Sequence, residues 1–169
     1  MTSQSTAPTN ITLRPVATED NDFLVEVYGS TRAEELALVP WTIEQQQAFV
    51  RAQFAAQQDH YAKKYPTASH DIIVCDNRPV GRLYVARLDQ EVRIIDITLL
   101  PRERNAGIGS HLIKQLLDEA NRGGKMTRIY VEEFNPSLRL FERLGFFPAE
   151  QQGIHLLMQC NPSQHLTPI

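Results

Sequence analysis

Six consecutive residues, Arg104-Asn105-Ala106-Gly107-Ile108-Gly109, have the composition of an anion-binding loop, and we call them the glycine loop. They follow an apolar run that ends at Pro101, and they open a stretch with helical periodicity. The first N–H groups of a helix have no partner within the helix, and the helix dipole favours a negative charge there. Two glycines remove the side chains that would keep a phosphate away from the backbone. Arg104, with Arg102 nearby, adds a charge-assisted contact, so the loop predicts a phosphate or pyrophosphate site.

Other interpretations of the glycine loop require residues that the chain lacks or leave some of its residues unexplained. A tight turn for close helix–strand packing explains one glycine more easily than two, and it does not call for Arg104. A P-loop requires Gly-Lys followed by Ser or Thr, whereas this chain has Gly109-Ser110-His111. A dinucleotide-binding loop requires a third glycine where Leu112 stands, although Glu132 lies at about the distance of a ribose-binding acid. The loop is therefore interpreted as a phosphate or pyrophosphate site of another kind, and a nucleotide- or NAD-binding protein stays the less favoured alternative.

The elements that must position this loop follow from periodicity and turn residues. They predict an α+β order: a strand, helices, a meander of three strands, a helix, a strand, a shorter helix and two strands. Thr42-Ile43-Glu44-Gln45 has the capping-box pattern, and the long helix after it is expected to bury Phe49, Ala52 and Ala56. Gly107–Arg122 is predicted to be an amphipathic helix with one apolar stripe.

The composition of the 169-residue chain is that of an ordinary globular protein, with 42% hydrophobic and 22% charged residues. A net charge of −3 argues against a nucleic-acid partner. No run is apolar enough to span a bilayer, and Met1–Thr9 lacks the apolar core of a secretory signal. No membrane partner is therefore expected, and the protein is predicted to be cytoplasmic. Two cysteines form no disulfide framework, and the histidines lack metal-ligand spacing, so no metal is expected.

Two motifs in this order of elements resemble those of a known family. Arg104-x-x-Gly107-x-Gly109, after a strand that ends Leu99-Leu100-Pro101, resembles the acetyl-CoA-binding signature of the GNAT N-acetyltransferases. Asn135-Pro136-Ser137 and Leu140-Phe141-Glu142-Arg143-Leu144-Gly145-Phe146 look like the second motif of the same family. The resemblance implies an α+β, three-layer fold, with a mixed, mostly antiparallel central sheet of about seven strands flanked by about four helices.

The resemblance also implies the domain organisation. Residues 11–160 are expected to form a single acyl-CoA N-acyltransferase-like domain. Residues 1–10 are rich in Ser, Thr and Pro and are expected to form a disordered N-terminal tail, and residues 161–169 a C-terminal tail. Homodimers are common in the family, so a homodimer is among the expected states, although no interface can be identified in the sequence.

Acetyl-CoA is the co-substrate that the resemblance implies. The backbone near Leu99 and Leu100 would pair with its pantetheine arm, and the N–H groups from Asn105 to Ser110 would bind its pyrophosphate. Asn135 and Ser137 would contact pantetheine or the sulfur, although Asn135 is also a candidate helix N-cap. The expected cofactor contacts are Leu99, Leu100, Arg104, Asn105, Ala106, Gly107, Ile108, Gly109, Ser110, Asn135, Ser137 and Phe141.

The match departs from the family at the residue that releases the thiolate. Many members carry a tyrosine in the second motif as the general acid, and the matching residue here is Phe141. Phenylalanine has no proton to donate, and Tyr130 is a candidate substitute. Two hypotheses follow. The chain is an N-acetyltransferase that moves an acetyl group to an amine by direct attack, or it is an acyl-CoA-binding protein or sensor with little or no transferase activity.

Direct attack needs a base, because an alkylamine is mostly protonated at neutral pH. Asp96 is a candidate because it lies in the apolar run Ile94-Ile95-Asp96-Ile97, although a structural pairing with an arginine explains it equally well. Glu34 and Glu35 are candidates for the base or for binding a cationic amine, and an exposed charge cluster is the alternative for them. The expected acceptor is a small-molecule or peptide amine, and the sequence does not identify it.

Overall fold

The computed structural model describes residues 10–163. Most of both expected tails, residues 1–9 and 164–169, therefore lies outside the described residues. The strands are β1 (Ile11–Pro15), β2 (Ser69–Cys75), β3 (Arg78–Arg87), β4 (Glu91–Leu99), β5 (Met126–Glu132), β6 (Phe147–Gln152) and β7 (His155–Cys160). The α-helices are α1 (Asn21–Ser30), α2 (Ala33–Leu36), α3 (Ile43–Lys64), α4 (Ile108–Arg122) and α5 (Leu138–Arg143), with single 3-10 turns at Thr18–Asp20 and Pro101–Glu103.

The seven strands form one mixed sheet in the order β1-β2-β3-β4-β5-β7-β6. Strands β1 and β2 pair antiparallel, β4 and β5 parallel, and β7 pairs antiparallel with both β5 and β6. A two-residue turn joins β2 to β3, and both of its residues, Asp76 and Asn77, have positive φ angles, as a tight hairpin turn requires. The predicted α+β class and the mixed seven-stranded sheet are confirmed. Residues 10–163 contain five α-helices, one of them a single turn, where about four were expected.

By its internal contacts the chain divides into two compact units. The first unit runs to Tyr84 and includes Ile97–Ala106, and the second consists of Val85–Asp96 and the chain from Gly107 onward. The single domain expected over residues 11–160 stays a prediction.

The core of the first unit lies between α1 and α3. Leu24 and Tyr28 of α1 are buried, and the Tyr28 ring packs against Phe54 of α3 with ring centroids 6.0 Å apart. The predicted face of α3 is only partly right: Phe49 is half-buried and packs against this core, but Ala52 and Ala56 are exposed. The buried residues of α3 are Val50 and Phe54. A helix rich in Ala and Gln has little hydrophobic contrast between its faces, so packing against α1 decides which face is buried.

The core of the second unit lies under α4. Leu112, Ile113, Leu116 and Ala120 are buried along one stripe of this helix, as predicted, and α4 packs on β5. No helix within residues 10–163 is long and apolar enough to cross a membrane.

Candidate cofactor and acceptor site

The glycine loop turns the chain from the end of β4 into the start of α4. Asn105 has a φ of 63° and Gly107 a φ of 85°, both in the left-handed region, and Gly107 is the N-cap of α4. A Cβ atom on Gly107 would meet nothing within 4 Å. Glycine is therefore required here by the backbone angle and not by crowding, and the space beside Gly107 is open.

The start of α4 leaves its own donors without partners from the helix. Gly107 offers no side-chain cap, and the first hydrogen bond of the helix is donated by His111 N–H to the Gly107 carbonyl, at 3.0 Å. The N–H groups of Ile108, Gly109 and Ser110 precede that bond, so they have no acceptor within the helix. No acidic side chain lies in the first turn to compete for them. These donors, together with the positive end of the helix dipole, fit a phosphate group.

The residues before the loop are held by hydrogen bonds of their own. Arg104 Nε donates to the carbonyl of Leu99 at 3.1 Å. Leu100 is buried, its N–H donates to the Val80 carbonyl at 2.9 Å, and its carbonyl accepts from Glu103 N–H at 2.9 Å. Backbone pairing of Leu99 or Leu100 with pantetheine stays a prediction, and at these groups it would compete with bonds already made.

Strands β4 and β5 are paired over only part of their length. The parallel register joins Glu91–Ile94 to Met126–Ile129. Strand β4 continues to Leu99 and β5 to Glu132, so the paired stretch is shorter than either strand.

The second motif forms a turn before α5. Asn135 Oδ1 accepts from Ser137 N–H at 2.9 Å, and α5 begins at Leu138 with Ser137 as its N-cap. The helix is assigned two residues later than predicted, but the Asn135 side chain makes the hydrogen bond expected of an N-cap, since it accepts from the N–H two residues further on. A Cβ atom on Gly109 would lie 3.7 Å from Leu140 Cδ2, so the first turn of α4 lies against α5.

Phe141 is part of the core of the second unit. Its side chain is 2% exposed, and its ring packs edge-on against Phe146 with centroids 5.2 Å apart. The contact that the resemblance implies between Phe141 and the cofactor stays a prediction. Tyr130, the candidate substitute acid, is 37% exposed on β5, with the Arg93 guanidinium 5.2 Å from its ring centroid.

The three candidate carboxylates belong to different units. Asp96 lies on β4 in the second unit and is half-buried. Glu34 and Glu35 lie on α2 in the first unit and are exposed, and Glu35 pairs with Arg32 at 3.2 Å. Their roles as base or amine-binding groups stay predictions.

A buried arginine is the polar feature that the sequence did not reveal. Arg82 of β3 is 1% exposed. Its guanidinium donates to Gln58 Oε1 at 2.8 Å and to Gln57 Oε1 at 2.6 Å, and it lies over the Phe54 ring. Strand β3 is buried on both faces from Val80 to Ala86, so alternation along the strand carries no signal for this position.

A cavity of about 320 Å³ lies beside this cluster in the first unit. It is lined by Val16, Ala17, Thr18, Asn21, Leu24, Phe54 and Gln58. Tyr84, also in this unit, stacks on His70 with centroids 4.3 Å apart, and burial raises the pKa of its hydroxyl. Most of the lining residues are apolar, and the polar ones are Thr18, Asn21 and Gln58.

Comparison with known proteins places these features in one family. The family model described as the acetyltransferase (GNAT) family matches residues 31–146. That range includes the glycine loop and the second motif up to Phe146. No curated protein sequence matches the chain.

Several solved structures share the fold. The PaiA N-acetyltransferase from Thermoplasma acidophilum, solved in complex with coenzyme A, is 16% identical, with 90% of this chain and 99% of that chain covered and a TM-score of 0.68. The ribosomal-protein-S18-alanine N-acetyltransferase from Escherichia coli is 18% identical, with 95% and 99% covered and a TM-score of 0.59. The histone acetyltransferase HPA2 and related acetyltransferase from Corynebacterium glutamicum is 19% identical, with 91% and 97% covered and a TM-score of 0.64. At these identities the likeness shows the fold alone.

Proposed function

Because the chain belongs to the acetyltransferase (GNAT) family, we propose that it moves an acetyl group from acetyl-CoA to an amine of an acceptor by direct attack. The observation that carries the proposal is the uncapped start of α4, where a left-handed glycine leaves three N–H donors without an acceptor in the helix. The family supplies the ligand that fits those donors, a carrier with a pyrophosphate.

The cofactor site is built on the two motifs. The N–H groups from Asn105 to Ser110 bind the pyrophosphate, and Gly107 and Gly109 keep side chains away from it. The backbone of Leu99 and Leu100 and the polar groups of Asn135 and Ser137 orient the pantetheine arm. When bound, acetyl-CoA supplies an acetyl group activated as a thioester.

The acceptor amine must lose its proton to become a nucleophile. Asp96, Glu34 and Glu35 are the candidates, either as the base that takes this proton or as the anion that holds the ammonium form. A carboxylate is a weaker base than an alkylamine, so a water molecule that relays the proton is compatible with the same groups. Replacing each carboxylate by the corresponding uncharged amide separates the two roles. Loss of the base lowers kcat, whereas loss of amine binding raises KM for the acceptor.

Phe141 supports a second candidate function, an acyl-CoA-binding protein or sensor with little transferase activity. The leaving thiolate finds no acid at this position, because Phe141 is buried against Phe146 and has no ionisable group. The substitution Phe141→Tyr discriminates between the candidates. A gain of tenfold or more in rate would identify a weakened enzyme, whereas an unchanged rate in an active protein would place the acid elsewhere, with Tyr130→Phe as the next variant.

The deciding experiment measures thiol release from acetyl-CoA across small amines, peptides with free N-termini and lysine-containing peptides. Release that depends on an acceptor and is lost in Gly107→Glu supports the transferase. Tight binding of acetyl-CoA by calorimetry, with no acceptor-dependent release, would favour the binding protein. Binding of NAD without binding of coenzyme A would overturn both.

The remaining assignments belong to the same proposal. The partner is a small-molecule or peptide amine, with no nucleic acid and no membrane, and the protein acts in the cytoplasm as one domain over residues 11–160. Sedimentation velocity distinguishes the monomer from the expected homodimer.

A further inference from the structure

The connection between α2 and α3 exposes large apolar side chains to solvent. Within residues 38–43, which we call the connector, Leu38 is 87% exposed, Ile43 74% and Trp41 40%. The whole connector lies in the first unit. Single exposed apolar residues are ordinary on a protein surface, whereas a run of them is typical of a surface that binds a partner.

Other side chains anchor the connector to the first unit. Val39 is partly buried against the core of this unit, and so is Phe49 of α3. The Trp41 ring packs edge-on against the Phe49 ring, with centroids 5.2 Å apart. The backbone carbonyl of Trp41 accepts from Gln46 Nε2 at 3.3 Å. The connector is therefore held in place from its inner side, while its outer apolar side chains stay in solvent.

The charges beside the connector are acidic. Glu34 of α2 precedes it, Glu44 of α3 follows it, and both side chains are exposed. Among residues 10–163 neither carboxylate has an ion-pair partner, and the nearby Arg32 is paired with Glu35 at 3.2 Å. A symmetric contact between two copies of the connector would bring the same carboxylates together. The charges therefore disfavour self-association and favour a cationic partner.

We propose that the connector is a docking site for a peptide segment of a partner protein in which apolar side chains alternate with Lys or Arg. The apolar side chains of the partner cover Leu38, Trp41 and Ile43, and an exposed tryptophan is the kind of residue that contributes most to such contacts. The cations of the partner lie beside Glu34 and Glu44. This site belongs to the first unit alone and requires no acetyl-CoA, so it goes beyond the proposed function and does not depend on it.

The chain contains a single tryptophan, so its tryptophan fluorescence reports on the connector alone. The probe is a short peptide of alternating leucine and arginine with blocked termini, which has no amine that could be acetylated. Binding should shift the emission of Trp41 to shorter wavelength, because apolar side chains replace water around the indole. A peptide with glutamate in place of arginine should bind about tenfold more weakly or not at all, because its charges repel the acidic side chains.

Variants of the connector separate the apolar contribution from the charged one. Leu38→Gln and Ile43→Gln should each weaken binding about tenfold, since each removes one apolar contact. Ile154→Gln, at a 52% exposed residue of the second unit, is the matched control and should keep the wild-type affinity. Glu44→Gln should weaken binding about twofold at low salt and less at high salt. Glu44 is chosen over Glu34 because Glu34 is also a candidate group in the proposed reaction.

Three results would overturn the proposal. The first is an emission of Trp41 that does not respond to the leucine–arginine peptide, or a response that is unchanged in both Leu38→Gln and Ile43→Gln. The second is equal binding of the leucine–glutamate peptide, since the partner would then not be selected by its charge. The third is an emission shift that appears when the protein alone is concentrated and is lost in Leu38→Gln, because that result assigns the connector to a second copy of this chain.

Discussion

The starts of α3 and α4 differ in how they treat the N–H groups of the first turn, which have no acceptor within the helix. At α3, Thr42 Oγ1 accepts from Gln45 N–H at 3.1 Å, and Gln45 Oε1 accepts in return from Thr42 N–H at 2.9 Å. At α4, the N-cap is Gly107, which has no side chain to accept a hydrogen bond. One helix therefore satisfies its first donors from its own sequence, and the other leaves them for something else.

The difference between the two helix starts follows from their residues: α4 begins at a glycine that has no side chain to cap it. At α3 the same chain forms a reciprocal cap, and such a cap is worth about 1 kcal/mol. At α4 it places glycines and no acidic residue in the first turn, so that end contributes less to folding than a capped end would. The proposed phosphate site would explain why the chain gives up this stability at α4.

The largest expected effect comes from blocking the open end. Gly107→Glu and Gly109→Glu place a carboxylate where the phosphate is proposed to bind, so steric exclusion and charge repulsion act together. We expect each to weaken acetyl-CoA binding by about 100-fold or more, which corresponds to about 2.7 kcal/mol. Calorimetry on the folded variants measures the change.

Gly124→Glu is the matched control for Gly107→Glu. Gly124 follows the C-terminal end of α4, has a φ of 66°, and has open space where a Cβ would lie, so it carries the same backbone strain and the same added charge. It should keep the wild-type affinity. If both Gly107→Glu and Gly109→Glu also kept it, the anion site would be refuted.

The reverse experiment removes the cap of α3. Thr42→Ala leaves Gln45 N–H without its acceptor and should lower the free energy of unfolding by about 1 kcal/mol. Affinity for acetyl-CoA should not change, because α3 plays no part in the proposed anion site. Urea denaturation measures the loss, and Thr42→Ser, which keeps the hydroxyl, should retain most of the stability. A loss of cofactor affinity in Thr42→Ala would show that the two helix starts are not independent.

Structural features that depend only on residues close together in the sequence were predictable. The capping box at Thr42 and Gln45 and the apolar stripe of α4 depend on spacing along one helix, and both appear as predicted. The glycine loop was found for the same reason, since its residues are consecutive. Loop position and helix position follow from local rules, which need no knowledge of the remaining chain.

Features decided by packing between elements were not predictable. The buried face of α3 was not predicted correctly, because the faces of an Ala- and Gln-rich helix differ little in hydrophobicity. Packing against Tyr28 of α1 determines that Phe54 is buried. The burial of Arg82 was missed because its partners, Gln57 and Gln58, are more than twenty residues away in sequence. The roles of Asp96 and Glu34 stay predictions for the same reason, because a base is defined by its distance to a reacting atom and not by its neighbours in sequence.

A pair of smaller substitutions separates stability from binding within the glycine loop. Gly107→Ala forces alanine to a φ of 85° and should lower the free energy of unfolding by about 1 kcal/mol. Gly109→Ala lies inside α4, and its methyl group would be 3.7 Å from Leu140 Cδ2, an ordinary contact. It should raise stability by about 0.5 kcal/mol because alanine favours the helix. Both substitutions should weaken acetyl-CoA binding several-fold. Gly109→Ala should therefore give a protein that is more stable than the wild type but binds acetyl-CoA less tightly. Thermal unfolding with and without acetyl-CoA measures both effects.

The smallest expected effect concerns a third helix start, the 3-10 turn before α1, where the chain uses a carboxylate as the acceptor. Asp20 accepts from Ala17 N–H at 2.7 Å and from both terminal nitrogens of Arg14 at 2.8 and 2.9 Å, and these bonds, those to Arg14 first, lower its pKa from 3.8 to about 2. A lowered folded-state pKa adds stability that is complete above the unfolded value and is lost as the pH falls through about 2. Asp20→Asn keeps one of the two acceptor oxygens and removes the charge. Because Arg14 is half exposed, the substitution should cost only about 0.5 kcal/mol at neutral pH. Urea denaturation from pH 7 to pH 2 measures the difference in free energy of unfolding between the wild type and Asp20→Asn. This difference should be constant down to about pH 4 and should shrink below it. A difference that grows on acidification would show that Asp20 is not the charged acceptor of this helix start.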